Sequence, residues 1–319
     1  MPVLVTTYHE AFLHKGGGEY ELLEVAFNLR RLGLVVDVYS PFARDIEAYD
    51  AILHFSLVPE TLPLLHALKD LGKRIILWPN FWSAQELPAD RQDTFRRFFR
   101  LADAVVFKSQ AEADILAALV PDSCRLLTVP AGIDPCFAAP APVRLFRDSY
   151  ELDEYLLWIG IIEPSKNQLQ AVNALRRLDV PMVFVGNYRD RAYYDACQNA
   201  APDRFHFLPP LAHKSDMLRA ALRECAAYLE LGRDPGGKSV LEAAISGARI
   251  VIPRSSWAEE HFGDFPTYVN PDDEASIVRG VSEALEKAPD ADMAARLMAR
   301  HGLPDVLLPL RDYIIAKDA

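Results

Sequence analysis

The sequence predicts an α/β protein made of two Rossmann-like domains, each a doubly wound parallel sheet. Three observations predict this class. Short apolar segments of strand length alternate with amphipathic segments of helical period, which is typical of parallel sheets. The alternation is interrupted between residues 135 and 150 and then begins again. The length, 319 residues, is natural for two domains.

The first half opens with a strand–helix–strand unit. Val3–Thr7 is a predicted strand, and a glycine turn at Gly16, Gly17 and Gly18 leads into a helix with apolar residues on one face. Leu34–Tyr39 is the next strand. The glycines can bind a ligand or simply form a tight turn. The other predicted strands of this half are Ala51–Phe55, Arg74–Trp78, Ala104–Phe107 and Leu126–Val129.

The second half repeats the alternation. Pro135–Tyr150 is rich in proline and alanine without periodicity, and we interpret it as an interdomain connection. We therefore place the first domain at residues 1–145 and the second at 146–302. The predicted strands of the second domain are Tyr155–Ile159, Met182–Val185, Phe205–Phe207, Ala226–Leu229 and Arg249–Ile252.

Charge, hydropathy and the spacing of cysteines and histidines argue against several classes of function. The net charge of −11 argues against a nucleic-acid binder, which needs a basic surface. No segment approaches the roughly 18 apolar residues of a membrane span, and the chain enters a strand at once, so we expect no signal peptide. The four cysteines show no C-x-x-C spacing, which favours reduced thiols in the cytoplasm. The eight histidines form no H-x-H or H-E-x-x-H pattern, so no metal site is expected.

A helical segment from Phe95 to Arg100 interleaves arginines with aromatic residues. A solvated arginine face over a packed aromatic face accounts for this pattern. Peripheral contact with an anionic membrane through Arg96, Arg97 and Arg100, at the inner face of the membrane, is the alternative.

The most informative stretch runs from Ala226 to Pro253. Its glycine turn, Pro235-Gly236-Gly237, lets the backbone approach a ligand closely. The helix that follows begins near Ser239, and free N–H groups at a helix start suit a phosphate. Asp234 and Glu242 stand before and after the turn. The stretch therefore predicts an anion site with carboxylates beside it.

Residues 232–239, GRDPGGKS, also satisfy the P-loop pattern G-x-x-x-x-G-K-[ST]. A P-loop NTPase needs further parallel strands and an apolar strand that ends in Asp to hold magnesium. The one strongly apolar strand after the motif ends in Pro253 and Arg254. The NTPase hypothesis is therefore the weaker of the two.

With these residues in place, the chain resembles the retaining GT-B-fold glycosyltransferases of family four. Gly160–Asn167 resembles the donor-site loop of that family, and Asp234 and Glu242 match its E-x7-E motif. The further matching segments are Ser239–Gly247, Glu260, Gly263-Asp264, Asn270–Asp272, Gly16–Glu19, Ala102-Asp103, Ser109 and Val129–Asp134. The order and spacing of the segments make the resemblance specific across nearly the whole chain.

The resemblance implies transfer of a sugar from a nucleoside-diphosphate sugar, with retention of configuration and without a bound metal or other cofactor. The acceptor is a glycan, a lipid-linked glycan or a small molecule. Lys166 would neutralise the leaving diphosphate, Asp234 would hold sugar hydroxyls and Glu242 the ribose. The further donor-binding residues implied are Gly236, Gly237, Lys238, Ser239, Gly16, Gly17 and Gly18. The resemblance also implies that a C-terminal helix, 303–319, packs back on the first domain.

Three positions depart from the family pattern. Ile161 stands where the family usually has arginine, and Asp234 is one methylene shorter than the usual glutamate. On the acceptor side the family often has histidine, and here the candidates are Asn80 and His54. His54 can equally be a satisfied core histidine. These departures leave an alternative open: a weakly active or inactive homologue that serves as a sugar-nucleotide-binding or assembly subunit.

Overall fold

The computed structural model describes residues 1–13, 16–81, 87–288 and 290–316. Up to residue 134 the strands and helices are β1 (Pro2–Thr6), α1 (Gly17–Arg31), β2 (Val35–Val38), β3 (Ala51–Phe55), α2 (Leu62–Asp70), β4 (Arg74–Trp78), α3 (Ala89–Phe99), β5 (Ala104–Phe107), α4 (Gln110–Leu116) and β6 (Arg125–Thr128). Short 3₁₀ turns lie between several of them.

Later in the chain they are α5 (Leu145–Tyr150), β7 (Leu156–Ile159), α6 (Gln168–Leu175), β8 (Met182–Val185), α7 (Arg191–Ala200), β9 (Phe205–Leu208), α8 (Asp216–Glu224), β10 (Ala227–Leu229), α9 (Lys238–Ile245), β11 (Ile250–Pro253), α10 (Ser256–Phe262), β12 (Thr267–Val269), α11 (Glu274–Glu286), α12 (Ala291–His301) and α13 (Leu308–Ile315). The predicted fold class, two doubly wound parallel sheets, is confirmed.

The chain divides into two compact units. The first contains residues 1–134 and the residues from Arg300 onward, and the second contains residues 135–299. The first boundary therefore lies earlier than residue 145, where the sequence analysis places it, and the second falls within α12 rather than at residue 303.

The sheet of the first unit has the strand order β2-β1-β3-β4-β5-β6, and all its pairings are parallel. Every residue of β3 is buried, as expected for a strand covered by helices on both faces. The order reverses between β1 and β3. In open α/β sheets, ligands bind outside the carboxyl ends of the strands at such a reversal.

The sheet of the second unit has the order β12-β11-β10-β7-β8-β9, again all parallel. Numbered within the unit this is the order 3-2-1-4-5-6 of dinucleotide-binding folds. The reversal lies between β7 and β10, which pair at Ala227–Leu156 and Tyr228–Leu157. The loops that follow these two strands are therefore the expected place for a ligand.

The expected connection at residues 135–150 is only partly irregular. Its last six residues form α5, which belongs to the second unit. Phe146 is fully buried, with its ring centroid 5.1 Å from that of Tyr155, and Arg147 donates a hydrogen bond to the Glu224 carbonyl. Helix α5 is too short for an apolar period to show in the sequence. Its residues therefore resemble a linker in the sequence, although the helix is packed in the second unit.

The end of the chain packs on the first unit. Leu307, Leu310 and Ile314 are buried in the same apolar cluster as strands β1, β3 and β4. The Arg74 guanidinium donates to the carbonyl of Ala316 at 3.0 Å and lies over the Tyr313 ring. Burial of these apolar side chains and the contacts of Arg74 thus hold the C-terminal segment on the first unit.

Candidate functional site

The two loops at the strand reversal of the second unit contain most of the predicted site residues. The loop after β7 carries Lys166, and the loop after β10 carries Asp234, Gly236 and Gly237. Because β7 and β10 are neighbours in a parallel sheet, their carboxyl ends meet at one edge. The fold therefore brings together residues that lie about seventy positions apart in the chain.

The loop after β7 is fixed by backbone contacts at both of its ends. The Gly160 N–H donates to the Val185 carbonyl at 3.0 Å, and Gly160 has φ +159°. At the far end Asn167 is left-handed, with φ +65°, and its side-chain amide donates to the Pro271 carbonyl at 3.0 Å. Lys166 therefore extends from a backbone with a defined path.

The Lys166 side chain runs over Gly232 to a buried carboxylate. A Cβ placed on Gly232 would lie 3.4 Å from Lys166 Cδ, so the glycine leaves room for the lysine stem. Lys166 Nζ lies 3.5 Å from Glu230 Oε1, and the two side chains are 25% and 6% exposed. Glu230 immediately follows β10. Sequence reasoning missed it, because a single acid after an apolar strand has no distinguishing pattern.

Helix α9 begins directly after the glycine turn, with Gly237 as its N-cap. Gly237 has no side chain that could cap this end, and the first N–H groups of a helix have no partner within the helix. Such an end attracts a phosphate through its N–H groups and its dipole. Lys238 and Ser239, two of the predicted donor-binding residues, are the first two residues of this helix.

Gly236 is required by packing. A Cβ at this position would lie 2.4 Å from Trp257 Cζ3 and 2.9 Å from Val240 Cγ1. Trp257 is only 7% exposed, so the indole has little freedom to retreat. At Gly237 the closest atom to an added Cβ is Ser239 Oγ, at the ordinary distance of 3.5 Å.

The difference in space around Gly236 and Gly237 allows a matched pair of alanine variants. We expect Gly236→Ala to displace the turn and to weaken nucleotide binding at least ten-fold, because the added methyl group meets the ring of Trp257. Gly237→Ala has room for its methyl group and should bind within about three-fold of the parent, since its φ of −78° suits alanine. Calorimetric titration of both variants measures the difference, and equal affinities would contradict the packing argument.

Glu242 lies on α9 and is 6% exposed. Its Oε1 is 3.1 Å from Nε2 of His213, which precedes α8. A carboxylate oxygen only accepts hydrogen bonds, so this ring nitrogen carries the proton. His213 was not predicted. The one available signal was indirect: a glutamate among apolar helix neighbours rarely lies unpaired.

Tyr228, on β10, is fully buried close to both glutamates. Burial, and then the charge of Glu230, raise the pKa of Tyr228 well above 10. Its hydroxyl donates to the Ile159 carbonyl at 3.1 Å, which ties β10 to β7 at the reversal point. The tyrosine therefore stays neutral and acts as a structural bridge beneath the site.

A pocket of about 530 Å³ opens beside the glycine turn, at the carboxyl ends of β10, β11 and β12. Glu230, Asp234 and Gly236 line one part of it. Another part is formed by aromatic and charged side chains: Arg233, Arg254, Trp257, Tyr268 and Asp272. Arg233 pairs with Asp272, and the Arg254 guanidinium lies 4.2 Å from the centre of the Tyr268 ring. The mixture of carboxylates and aromatic faces suits a hydroxyl-rich ligand.

In the first unit, the glycine turn lies against Asn80. Gly16 caps helix α1, and a Cβ on Gly18 would lie 2.5 Å from Asn80 Nδ2, whereas one on Gly17 meets no atom within 4 Å. Asn80 follows β4 with φ +51°, and its Oδ1 accepts a hydrogen bond of 2.7 Å from Lys108 Nζ. Lys108, which the sequence analysis did not select, thus orients one of the predicted acceptor-side residues.

His54 lies inside the first unit with no accessible surface. Its Nδ1 is 2.9 Å from Thr6 Oγ1, and its Nε2 is 3.1 Å from Thr61 Oγ1. Thr61 donates its own proton to the Val58 carbonyl, so Nε2 carries the histidine proton. Both ring nitrogens are used by the core, which matches the alternative of a satisfied core histidine rather than a residue that contacts an acceptor.

Burial lowers the pKa of His54 to about 4, against the opposing influence of a hydrogen bond with the Ser56 backbone. The unfolded chain has the ordinary value near 6.5, so between pH 6.5 and pH 4 the unfolded state binds more protons. The free energy of unfolding should therefore fall by roughly 3 kcal/mol as the pH drops through this window. Urea titrations from pH 4 to 7 measure it. His54→Gln should flatten the slope, and the exposed His66→Gln should keep it; equal slopes would contradict the assignment.

The arginines of α3 lie over a packed aromatic face. Phe95, Phe98 and Phe99 are buried, while Arg96 pairs with Asp93 at 2.7 Å on the exposed side. This arrangement is the solvated face that the sequence analysis favours.

No helix within the described part of the chain has the length and apolar character needed to cross a membrane. Over the same residues, no group of three or more His, Cys, Asp or Glu side chains could hold a metal ion.

Comparison with known proteins identifies the fold. No protein-family model and no curated protein matches the chain. Solved structures do match, over 98% of this chain. Anabaena HepE in complex with UDP and glucose is 15% identical, with a TM-score of 0.76 and 99% of its own chain covered. Sucrose-phosphate synthase from Thermosynechococcus elongatus is 14% identical, with a TM-score of 0.79 and 98% of its own chain covered. An Escherichia coli trehalose-6-phosphate structure with bound UDP-2-fluoroglucose matches at 13% identity and TM-score 0.63, again over 98% of this chain and 96% of that one. The chain therefore has the GT-B fold of these glycosyltransferases.

Proposed function

We propose that the protein is a glycosyltransferase that moves a sugar from a nucleoside-diphosphate sugar to an acceptor, with retention of anomeric configuration. One observation carries the proposal. At the strand reversal of the second unit, Lys166 lies 3.5 Å from the buried Glu230, and helix α9 begins directly after the glycine turn. Glu230 and Gly236 of this group line a pocket of about 530 Å³. A cation and free N–H groups recognise a diphosphate, and carboxylates recognise hydroxyls.

The chemistry follows from these groups. Breaking the bond to the leaving nucleoside diphosphate places negative charge on a phosphate oxygen, and fixed positive groups stabilise that charge. Lys166 and the N-terminus of α9 supply them. Glu242, held by His213, accepts hydrogen bonds from the ribose hydroxyls, and Asp234, in the wall of the pocket, accepts them from the sugar. The acceptor is a glycan, a lipid-linked glycan or a small molecule.

The comparisons support the donor class. The HepE structures contain UDP, UDP-glucose, or UDP with glucose, and the trehalose-6-phosphate structure contains UDP-2-fluoroglucose. These ligands belong to proteins of the same fold with low sequence identity. We therefore propose a nucleotide sugar as partner and leave the base open.

A second candidate is a sugar-nucleotide-binding or assembly subunit with little activity. Ile161 replaces a cation expected beside the diphosphate, Asp234 is shorter than the usual glutamate, and the remaining cation, Lys166, lies next to Glu230. Transfer or hydrolysis of the donor by the purified protein favours the enzyme. Binding without either reaction favours the subunit.

Thermal-shift screening against nucleotide sugars, nucleoside diphosphates and triphosphates tests the donor class. A ligand at 100 times its Kd stabilises the folded state by about 2.7 kcal/mol, which raises the melting temperature measurably. We expect stabilisation by at least one nucleotide sugar. Stabilisation by ATP with magnesium, and by no diphosphate or diphosphate sugar, would show that residues 232–239 are a P-loop instead.

We expect transfer to need no divalent cation, because Lys166 and the α9 N-terminus already supply positive charge at the diphosphate. The initial rate should therefore stay within about two-fold when EDTA is added, since the charge stabilisation comes from the protein itself. Loss of activity in EDTA that manganese restores would overturn this expectation.

A further inference from the structure

Glu230 occupies an unusual place for a carboxylate. It is the first residue after β10, at the strand reversal, and is 5% exposed. Its backbone N–H donates to the Val251 carbonyl at 3.1 Å, so the sheet ladder continues through this residue and fixes its position. The side chain therefore begins from a rigid point at the centre of the site.

The two oxygens of Glu230 have different surroundings. Oε1 lies 3.5 Å from Lys166 Nζ, the long end of hydrogen-bond range. Oε2 has less than 1 Å² of accessible surface and no hydrogen-bond partner among the described residues. Burying a carboxylate oxygen without a donor is costly, and one distant cation compensates for only part of that cost. Fold stability alone does not account for a glutamate at this position.

The surroundings indicate which chemical group would satisfy Glu230. It lines the same pocket as Asp234 and Gly236, next to the glycine turn. A carboxylate repels a phosphate, whereas it accepts strong hydrogen bonds from hydroxyl groups. The part of a ligand that reaches Glu230 is therefore hydroxyl-bearing and uncharged, and the diphosphate lies nearer the α9 N-terminus.

We propose that Glu230 is a specificity-determining residue: it accepts a hydrogen bond from a hydroxyl of the transferred sugar and disfavours a free nucleoside diphosphate in the same site. This inference rests on the proposed function and deepens it. A bound sugar supplies a hydrogen-bond donor to this carboxylate when rotation of the carboxyl group turns one of its oxygens toward the pocket. A free diphosphate supplies none and places its terminal phosphate close to a buried negative charge, while Glu230 continues to hold Lys166.

The consequence is a preference for donor over product. In the donor complex Glu230 is satisfied by the sugar, and Lys166 is left to the phosphates. After transfer the sugar has gone, and repulsion between Glu230 and the product diphosphate promotes its release. Without this carboxylate, the site would bind the product diphosphate more tightly, and product release would be slower.

Glu230→Gln tests the proposal, because it keeps the shape of the side chain and removes its charge. Calorimetric titration with UDP, UDP-glucose, GDP and GDP-mannose gives the ratio of the product Kd to the donor Kd. We expect this ratio to fall at least ten-fold in the variant, mainly through tighter binding of the free diphosphate. Glu283→Gln removes the charge of an exposed carboxylate of the second unit that pairs with Lys287 at 2.9 Å, and neither residue lines the pocket, so the ratio should stay within two-fold of the parent.

Glu230→Asp is a second test variant, which is needed if Glu230→Gln does not fold. This variant keeps the charge but moves it one methylene away from the sugar. The hydrogen bond to the sugar therefore weakens, the donor Kd rises, and the ratio of the product Kd to the donor Kd again falls. An unchanged ratio in the folded variants, or a parallel change in both affinities, would overturn the inference and leave the proposed function standing. A parent protein that binds no nucleotide sugar of a full panel would overturn the proposed function, and the inference with it.

Discussion

Lys166→Ala is expected to lower kcat/KM for sugar transfer by roughly 30- to 1,000-fold, or about 2 to 4 kcal/mol of transition-state stabilisation. Two effects act in the same direction. Under the proposed function, the variant loses the cation that would face the leaving diphosphate. It also leaves Glu230 buried without the ion pair seen at 3.5 Å. An uncompensated carboxylate at this point repels the charge that develops on the leaving group.

Glu242→Ala should have an effect of similar size, through a different contact. The carboxylate is 6% exposed and held by His213, so it is preorganised to accept from ribose hydroxyls. Removing it loses a charge-assisted hydrogen bond in a site shielded from water, where such a bond is strong. Because the ribose is held in both the ground state and the transition state, KM should rise more than kcat falls.

Steady-state kinetics with a nucleotide sugar measure both effects, and thermal melting checks that the variants fold. Lys287→Ala and Glu283→Ala are the matched controls, since they remove the same two residue types from an exposed i,i+4 pair of the second unit. Both should keep kcat/KM within about two-fold, because exposed pairs contribute little. Parent-like kinetics in both Lys166→Ala and Glu242→Ala would remove the proposed site.

Much of the fold could be predicted because most strands are short apolar runs next to amphipathic helices. The prediction failed at α5, where six residues from Leu145 to Tyr150 are too few to show a period, and at β12, whose three residues Thr267–Val269 are too few to stand out as a strand. The strand order could not be predicted either. It depends on pairings such as Tyr228 with Leu157, and these contacts are remote in sequence. Only the strand order shows that the Lys166 loop and the glycine turn meet at one edge.

Residues of the candidate site could be selected from the sequence where a pattern of several residues marks them. Gly236 and Glu242 belong to such a pattern, and the structure adds the packing reason for the glycine. Glu230, His213 and Lys108 belong to none. Each is significant only through a partner far away in the chain, for example His213 through Glu242 at 3.1 Å. A single polar residue carries no signal of that kind in the sequence.

The same reasoning applies to a buried ion pair in the first unit. Lys108 Nζ lies 3.4 Å from Glu21 Oε2, and the two side chains are 6% and 2% exposed. Glu112 also faces Lys108: burial raises the pKa of Glu112, and the charge of Lys108 opposes that rise. Lys108 therefore pairs with Glu21, opposes part of the effect of burial on Glu112, and orients Asn80. Lys108, Glu21 and Glu112 belong to no sequence pattern that would have predicted this cluster.

Glu21→Ala and Lys108→Met should each destabilise the protein by about 3 to 5 kcal/mol, because each leaves a charge buried without its partner. Replacing both partners, as in Glu21→Leu with Lys108→Met, should recover much of the loss, since no unpaired charge remains between these two positions. Asp93→Ala breaks the exposed Arg96 pair of the same unit and should cost less than about 1 kcal/mol. Urea unfolding of the four variants measures these differences.

The double variant also separates stability from function. Without Lys108, Asn80 loses the 2.7 Å hydrogen bond that fixes its side chain against Gly18, whatever the stability of the fold. We therefore expect the double variant to fold and yet to transfer sugar at least ten-fold more slowly, because one contact that orients the predicted acceptor-side residue Asn80 is lost. Single variants as stable as the parent would show that the pair is not energetically coupled. A double variant with full activity would show that Asn80 needs no such support.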